Sequence, residues 1–345
     1  MKSIAVMKPN ELAVVDIPMP KYDDCQALVK TLASGICGSD RKIMHGTFKN
    51  IEEYPTLLGH EAVAEVVEIG KNVENFKVGD WVLIPYHSDD ESGYQSAWGA
   101  FSEYGIVNDW KAMAKQGRGP DTPDFPDFIY TQRVIPKTID PVAAVQMITL
   151  REVLAASKHF GFGTGKSIAI FGAGPVGLTF IKFAKVFGVS PVIVIDVVDE
   201  KIAEAKEFGA DYAINSAKED AVAAVRKICP DGVDMMLDAV GINSLILTGM
   251  EMIKDNGKIL VYGVSPELKM ELDWSKAPYN WGLEFFQFPI KYDEGAVHEQ
   301  LLSLMQLGVI DPMDFVSDVF DFADWEKAFE LFESKKPNKK IVIKY

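Results

Sequence analysis

The chain has 345 residues, enough for two domains that each bury a core of their own. Lys and Arg total 35 against 50 Asp and Glu, which gives a formal net charge of −15. This acidic excess repels phosphate backbones and anionic lipid surfaces, so we expect neither nucleic acid nor a membrane as a partner. The apolar content of 48% and charged content of 25% are typical of folded globular domains and exclude a largely disordered chain.

The three cysteines, Cys25, Cys37 and Cys229, are widely spaced and odd in number. This pattern indicates no disulfide framework and favours a reducing compartment. Charged residues and a proline interrupt the apolar start of the chain before a secretory signal core could form. The longest uncharged apolar run, Ser167–Ile181, is shorter than the roughly 18 residues of a membrane-spanning helix. We therefore expect a soluble cytoplasmic protein.

Short apolar runs separated by turn residues predict a first part rich in β-strands. The predicted strands are Ser3–Met7, Leu12–Ile17, Ala27–Leu32, Ala62–Ile69, Trp81–Ile84 and Ser102–Val107. The segment Lys111–Thr131 follows and contains Gly117, Gly119, Pro120, Pro123 and Pro126. We interpret it as a long surface excursion, and loops of this length in compact domains are often functional.

The pattern then changes to apolar strands that alternate with helices, which predicts a parallel sheet with right-handed crossovers. The strands are Ser167–Phe171, Val192–Ile195, Met235–Leu237 and Ile259–Tyr262, and the helices between them include Val176–Phe187 and Asp199–Phe208. The last elements are predicted at Ala296–Leu307, Asp324–Glu333 and Lys340–Lys344. These are too few for a third domain, so we expect them to pack on the first.

A glycine-rich turn joins a predicted strand to a predicted helix, Gly172-Ala173-Gly174-Pro175-Val176-Gly177. In this setting the glycines permit a tight turn, the approach of a pyrophosphate and close packing of the helix, whose first amides hold the anion. Asp196 ends the next strand, roughly twenty residues later, where a carboxylate accepts from both ribose hydroxyls and repels a 2′-phosphate. We therefore predict NAD; the alternative is a tight turn in another doubly wound fold.

Cys37 and the pair His60 and Glu61 supply a thiolate, an imidazole and a carboxylate. These groups are suitable zinc ligands and leave a fourth position for water or substrate. Taken separately, each has a more ordinary interpretation, because a lone cysteine is often a small buried apolar residue and a lone histidine is often structural.

Four further motifs precede the glycine turn: Cys37-Gly38-Ser39-Asp40, Gly59-His60-Glu61-Ala62, Val78-Gly79-Asp80-Trp81-Val82 and Gly99-Ala100-Phe101-Ser102-Glu103-Tyr104. Their order resembles that of the zinc-dependent medium-chain dehydrogenases, in the alcohol, polyol and sugar branch, over nearly the whole chain. The resemblance implies an α/β fold in which a GroES-like β-rich catalytic domain carries an inserted Rossmann domain with a doubly wound parallel sheet. We place the catalytic domain at 1–147, the Rossmann domain at 148–288 and the return to the catalytic domain at 289–345.

The resemblance also implies a set of metal ligands. Cys37 and His60 match two ligands of a catalytic zinc, and Glu61 matches a neighbouring glutamate that binds the ion or replaces water on it. Gln146 stands where relatives have a third protein ligand, although it could equally be a polar helix residue. No cysteine lies between Pro85 and Tyr104, where many relatives bind a second, structural zinc, so we expect one zinc per chain.

The expected reaction is reversible hydride transfer between NAD and a secondary alcohol such as a polyol or a sugar. Ser39 would relay the alcohol proton through the cofactor ribose, or it stabilises a turn. Lys42 stands where many relatives end the relay with a histidine, so His45 is a candidate substitute or an ordinary loop histidine. The alternatives are a zinc-free NAD(P)H reductase of the same superfamily and a noncatalytic NAD-binding protein. Since relatives are dimers or tetramers, we expect self-association.

Overall fold

The computed structural model describes residues 1–49, 51–88, 93–122, 125–334 and 336–345, so Pro123 of the predicted excursion lies outside the described residues. The chain divides into two compact units. The first consists of Met1–Ile148, Ile290–Met305 and Asp311–Tyr345, and the second consists of Thr149–Pro289 and Gln306–Ile310. No helix in these ranges is both long enough and apolar enough to cross a bilayer.

The first unit begins as a series of strands with short helices between them. Its elements are β1 (Lys2–Lys8), β2 (Glu11–Asp16), β3 (Gln26–Gly35), α1 (Gly38–Met44), β4 (Thr56–Leu57), β5 (Glu61–Ile69), β6 (Trp81–Leu83), β7 (Gln95–Ser96), β8 (Tyr104–Asn108), α2 (Trp110–Lys115), β9 (Val134–Ile135) and α3 (Pro141–Ala144), with a 3-10 helix at Asp127–Thr131. Helix α4 (Gln146–His159) starts in this unit and continues into the second.

Strands and helices alternate in the second unit. They are β10 (Ile168–Phe171), α5 (Pro175–Val186), β11 (Val192–Asp196), α6 (Asp199–Glu207), β12 (Tyr212–Asn215), α7 (Ala221–Ile228), β13 (Val233–Asp238), α8 (Asn243–Met250), β14 (Ile253–Val261) and β15 (Trp281–Phe285). All neighbouring strands pair in parallel, in the order β12-β11-β10-β13-β14-β15. This is the strand order of a doubly wound dinucleotide-binding sheet.

Burial on both faces explains why the strands of this sheet are continuous apolar runs. All four residues of β10 are buried, as are the first four of β11. The α/β class and the parallel sheet predicted from the alternation of strands and helices are confirmed.

The C-terminal part of the chain contributes α9 (Lys291–Ala296), α10 (His298–Gln306), β16 (Val316–Asp321), α11 (Trp325–Glu333) and β17 (Lys340–Lys344). Strand β17 pairs antiparallel with β3, so the end of the chain is built into the sheet β16-β17-β3-β5-β6-β9 of the first unit, in which β8 also pairs with β3. A second sheet of this unit has the order β2-β1-β4-β7.

The predicted excursion contains regular structure and a small core of its own. Helix α2 and the 3-10 helix bury Met113 and Ile129 against Cys25. Asp109 is fully buried and caps α2 by accepting hydrogen bonds from the first-turn amides. Its carboxylate also accepts from the amides of Glu74 and Asn75, each at 2.8 Å. The carboxylate therefore joins the start of the excursion to the chain that follows β5.

We expect Asp109→Ala to lower the free energy of unfolding by about 3 kcal/mol, because it removes a helix cap and leaves several amides without an acceptor. Urea denaturation followed by circular dichroism measures this. Asp121→Ala is the matched control: its side chain is exposed in the same segment, and it should change stability by less than about 0.5 kcal/mol. Equal losses in the two variants would contradict the role of Asp109.

Candidate active site

Helix α1 presents Cys37 at its start. Cys37 is the N-cap residue, and its backbone amide donates to Asp40 Oδ2 at 2.7 Å. This is one half of a capping box, in which a side chain of the first turn reaches back to the N-cap amide. Asp40 is fully buried, so the loop that carries the Cys37 thiol is held to the helix by a contact protected from water.

Gly59 turns the chain directly before His60, and Glu61 is the first residue of β5. The φ of +100° at Gly59 lies in the left-handed region, and a Cβ at this position would lie 2.5 Å from Phe101 Cδ2, so a side chain is excluded. One donor atom from each of Cys37, His60 and Glu61 lies within 4.8 Å of the other two. The three groups are therefore candidate ligands of one ion, and a sulfur, a nitrogen and an oxygen donor fit zinc.

The surroundings of His60 favour positive charge. Its Nδ1 lies 3.4 Å from Asp40 Oδ1, and its Nε2 lies 3.1 Å from Ser39 Oγ. Burial lowers the pKa of the imidazole, but the Asp40 carboxylate and the Cys37 thiol outweigh burial and raise that pKa well above its usual value. The same field attracts a divalent cation, which would compete with the proton for the ring.

Lys340, the first residue of β17, provides a second buried charge at the cluster. Its Nζ lies 2.5 Å from Glu61 Oε2, and the two side chains are only 5% and 2% exposed. Burial opposes the charge on Lys340, but Glu61 and Cys37 raise the pKa of its ammonium group above the usual value. The Glu61 carboxylate is thus held by a cation of the protein at one oxygen, which orients it beside Cys37 and His60.

Gln146 begins α4 and is buried. Val145, the residue before Gln146, and Glu61 Oε2 both lie close to Gly35, because a Cβ built there would be 2.7 Å from Val145 Cγ1 and 3.1 Å from Glu61 Oε2. Gln146 Nε2 has no hydrogen-bond partner among the described residues. An unpaired amide nitrogen is a hydrogen-bond donor and does not identify the Gln146 oxygen as a metal ligand, so its ligation stays a prediction.

The structure does not bring His45 to this cluster. His45 follows the last residue of α1, whereas Ser39 lies in the first turn, and six residues of helix separate them by about 9 Å. The His45 ring instead contacts Asn10 Oδ1 at 2.6 Å and Glu333 Oε2 at 3.0 Å. His45 therefore ties the end of α1 to the turn after β1 and to α11.

Asp40 and Lys340 are the residues of this site that sequence analysis missed as participants. Asp40 could have been found from its spacing, because an acid three residues after an N-cap is typical of a capping box. Lys340 left only a weak trace, a lysine at the start of an apolar terminal strand. Its contact with Glu61 joins residues at opposite ends of the chain.

The glycine turn of the second unit has the shape that the sequence predicted. Gly172 has a φ of +96°, and a Cβ there would lie 2.6 Å from Val240 Cγ2. A Cβ on Gly177 would overlap the carbonyl oxygen of Gly172. Gly174 is the N-cap of α5, no side chain caps the helix there, and the space beside it is open. Helix α5 begins with Pro175 and Val176. An anion can therefore reach the free backbone amides in the first turn of this helix.

Asp196 ends β11 beside this turn. Its Oδ2 accepts from the Ala173 amide at 2.9 Å, and its Oδ1 accepts from the amides of Val197 and Val198 at 2.7 Å and 3.1 Å. These bonds fix the carboxylate next to the glycine turn. A carboxylate has about four acceptor positions, so it retains capacity for a ribose hydroxyl.

Exposed apolar side chains surround the carboxyl ends of the same strands. Val197 follows β11 and is 62% exposed, while Val240 and Ile242 follow β13 and are also exposed. Ligands of doubly wound sheets bind at the carboxyl ends of the strands, and apolar surface there suits a flat base. Sequence analysis did not identify these residues, because exposure cannot be inferred from residue type alone.

Two family models match this chain, one in each unit. The model of the alcohol dehydrogenase GroES-like domain matches residues 23–117, and that of the zinc-binding dehydrogenase matches residues 175–284. L-threonine 3-dehydrogenase from Pyrococcus horikoshii is 30% identical over 99% of this chain and 99% of its own. Sorbitol dehydrogenase from Bacillus subtilis is 26% identical over 96% of this chain and 93% of its own.

A solved structure has the same fold as this chain. A short chain alcohol dehydrogenase from E. coli CFT073, complexed with NADH, superposes with a TM-score of 0.80 at 25% identity and covers 100% of this chain and 99% of its own. The predicted fold class, a GroES-like part combined with a Rossmann part, is confirmed.

We expect Lys340→Met to lower the free energy of unfolding by about 3 to 5 kcal/mol, because the Glu61 carboxylate is then buried without its cation. The double variant Glu61→Gln with Lys340→Met should recover most of this loss, since neither charge remains. Both are measured by urea denaturation with a chelator present. Lys344→Met, at the exposed end of the same strand, is the control. If the losses in free energy of unfolding simply add in the double variant, the proposed coupling between Glu61 and Lys340 is wrong.

Proposed function

The chain belongs to the zinc-dependent medium-chain dehydrogenase/reductase superfamily, and we propose that it transfers hydride reversibly between a secondary alcohol and NAD, using one zinc ion. Its relatives are dehydrogenases, and the chain is an oxidoreductase. The observation that carries the proposal is the convergence of donor atoms from Cys37, His60 and Glu61 within 4.8 Å. A protein that only bound NAD, or reduced a double bond without metal, would not need this donor set.

Zinc bound at this cluster would supply Lewis-acid activation of an alcohol hydroxyl. Cys37 and His60 would hold the ion, and Gln146 or Glu61 would complete the protein ligands. Asp40 would keep the His60 ring oriented, as carboxylates behind metal-binding histidines commonly do. Ser39 Oγ, 3.1 Å from His60 Nε2, would accept the alcohol proton and pass its own to a ribose hydroxyl of the cofactor.

We assign NAD as the cofactor from the second unit. The uncapped start of α5 suits a pyrophosphate, and the remaining acceptor position of Asp196 suits a hydroxyl of an unphosphorylated ribose. A 2′-phosphate would meet the Asp196 carboxylate at close range, which is unfavourable by electrostatic repulsion.

The substrate that we propose is a small secondary alcohol: a polyol, a sugar or a similar compound. L-threonine and sorbitol, for which two relatives are named, both carry a secondary hydroxyl. We also propose that the chain is a homodimer or homotetramer. The support is β15, which is an edge strand of the parallel sheet. The exposed aromatic side chains of Tyr279, just before this strand, and Phe285, at its end, lie along the edge.

Replacement of Cys37 by serine tests the metal mechanism. We expect Cys37→Ser to reduce NADH formation about a thousandfold or more and to lower zinc from about one ion per chain to near zero, because the thiolate ligand is lost. NADH binding, measured by fluorescence titration, should change less than about twofold, since Cys37 is not part of the glycine turn. Cys229→Ser in the second unit is the control and should retain zinc and turnover. Full activity of Cys37→Ser would refute the metal mechanism.

The cofactor assignment is tested by kcat/KM for NAD and for NADP. We expect the wild type to favour NAD by about 100-fold, and Asp196→Asn to reduce this preference at least about tenfold, because the charge is lost while one oxygen remains to accept from backbone amides. Asp199→Asn, at the start of α6, should leave the preference unchanged. A wild-type preference for NADP is the result that would overturn the assignment.

A further inference from the structure

Trp98 has a backbone conformation that tryptophan rarely adopts. Its φ is +67°, in the left-handed region, and Gly99 follows with a φ of +70°. Glycine and asparagine enter this region readily, whereas a bulky side chain does so at a cost in free energy. Residues kept in such conformations are held there by their surroundings and often lie at functional sites.

Hydrogen bonds on both sides hold the Trp98 backbone in place. The Trp98 carbonyl accepts from the His87 amide at 2.8 Å. The Ala97 amide donates to Leu57 and the Ala100 amide donates to Gly59, each at 2.8 Å. The chain at Trp98 is therefore fastened along the segment that leads directly into His60.

This backbone places the indole beside a proposed metal ligand. The Trp98 ring lies 5.2 Å from the His60 imidazole, with 57° between their planes, and 6.3 Å from Phe48 in an edge-on arrangement. We call Trp98 and Phe48 the aromatic wall. Both side chains are partly buried at the margin of an apolar cluster of the first unit. The aromatic wall is thus partly packed against this cluster, and Trp98 also borders the His60 ring.

Core packing alone does not explain a tryptophan at this position. A smaller residue with a relaxed backbone would fill the margin of the cluster without the cost of a left-handed conformation. The partly buried indole instead offers an apolar face with negative charge density, which attracts the C–H groups of a ligand. A molecule held by a metal at His60 would lie within reach of this face.

We propose that Trp98 is a specificity-determining residue, whose indole packs against the carbon chain of a polyol or sugar and so favours it over short secondary alcohols. The proposal rests on the proposed function and narrows its substrate class. A short alcohol such as 2-propanol ends close to its reacting carbon and covers little of the indole. A six-carbon polyol extends several C–H groups beyond that carbon and gains the contact.

Two substitutions separate this role from a structural one. Trp98→Asn removes the ring but suits the left-handed backbone, because asparagine tolerates that region. Trp98→Phe keeps an aromatic face. The control is Trp274→Asn, since Trp274 is 74% exposed in the second unit.

The experiment compares sorbitol with 2-propanol for the zinc-loaded protein, by kcat/KM with NAD and by calorimetric binding in the presence of NADH. We expect Trp98→Asn to lower the preference for sorbitol at least about tenfold in both assays, Trp98→Phe to lower it less than about threefold, and Trp274→Asn to leave it unchanged. Zinc content of Trp98→Asn should equal that of the wild type, whereas its melting temperature should fall slightly, because part of the indole packs against the apolar cluster.

The proposal is overturned if the wild type does not prefer sorbitol in binding, if Trp98→Asn retains the preference, or if that variant loses zinc. Selective binding of sorbitol that depends on Trp98, without NADH formation by the wild type, would support the role of Trp98 and refute the proposed function. Failure of the Trp98 proposal and failure of the proposed function therefore give different results.

Discussion

The buried contact between Glu61 and Lys340 is the constraint on which the candidate site depends. A carboxylate with 2% exposure needs a compensating charge, and the C-terminal strand supplies it from the far end of the chain. Because β17 pairs with β3, the strand that leads into Cys37, the same pairing that closes the sheet also positions the lysine. The strand pairing that completes the sheet of the first unit therefore also brings the Lys340 ammonium group to the donor cluster.

Around this pair, the site is arranged by backbone features that few residues can supply. Gly59 is excluded from carrying a side chain by Phe101, and Asp40 is tied to the amide of Cys37. Such contacts limit the freedom of the three donors before any ligand binds. This preorganisation reduces the conformational entropy that a bound ion would otherwise have to overcome.

Local patterns predicted much of the fold and part of the site. The alternation of strands and helices indicated the parallel sheet, and the glycine turn and Asp196 lie together as their spacing predicted. Helix α4 was missed because its buried residues cover most of its surface and leave little periodicity. Glycines and prolines concealed α2 in the excursion, and Lys340 depends on a contact across the whole sequence.

X-ray absorption at the zinc edge of the purified enzyme tests the central claim most directly. The account predicts one sulfur at about 2.3 Å, with the remaining ligands nitrogen or oxygen at about 2.0 to 2.2 Å. An absence of zinc from protein purified without a chelator would contradict this prediction. A zinc site with several sulfur ligands, or with none, would also contradict it.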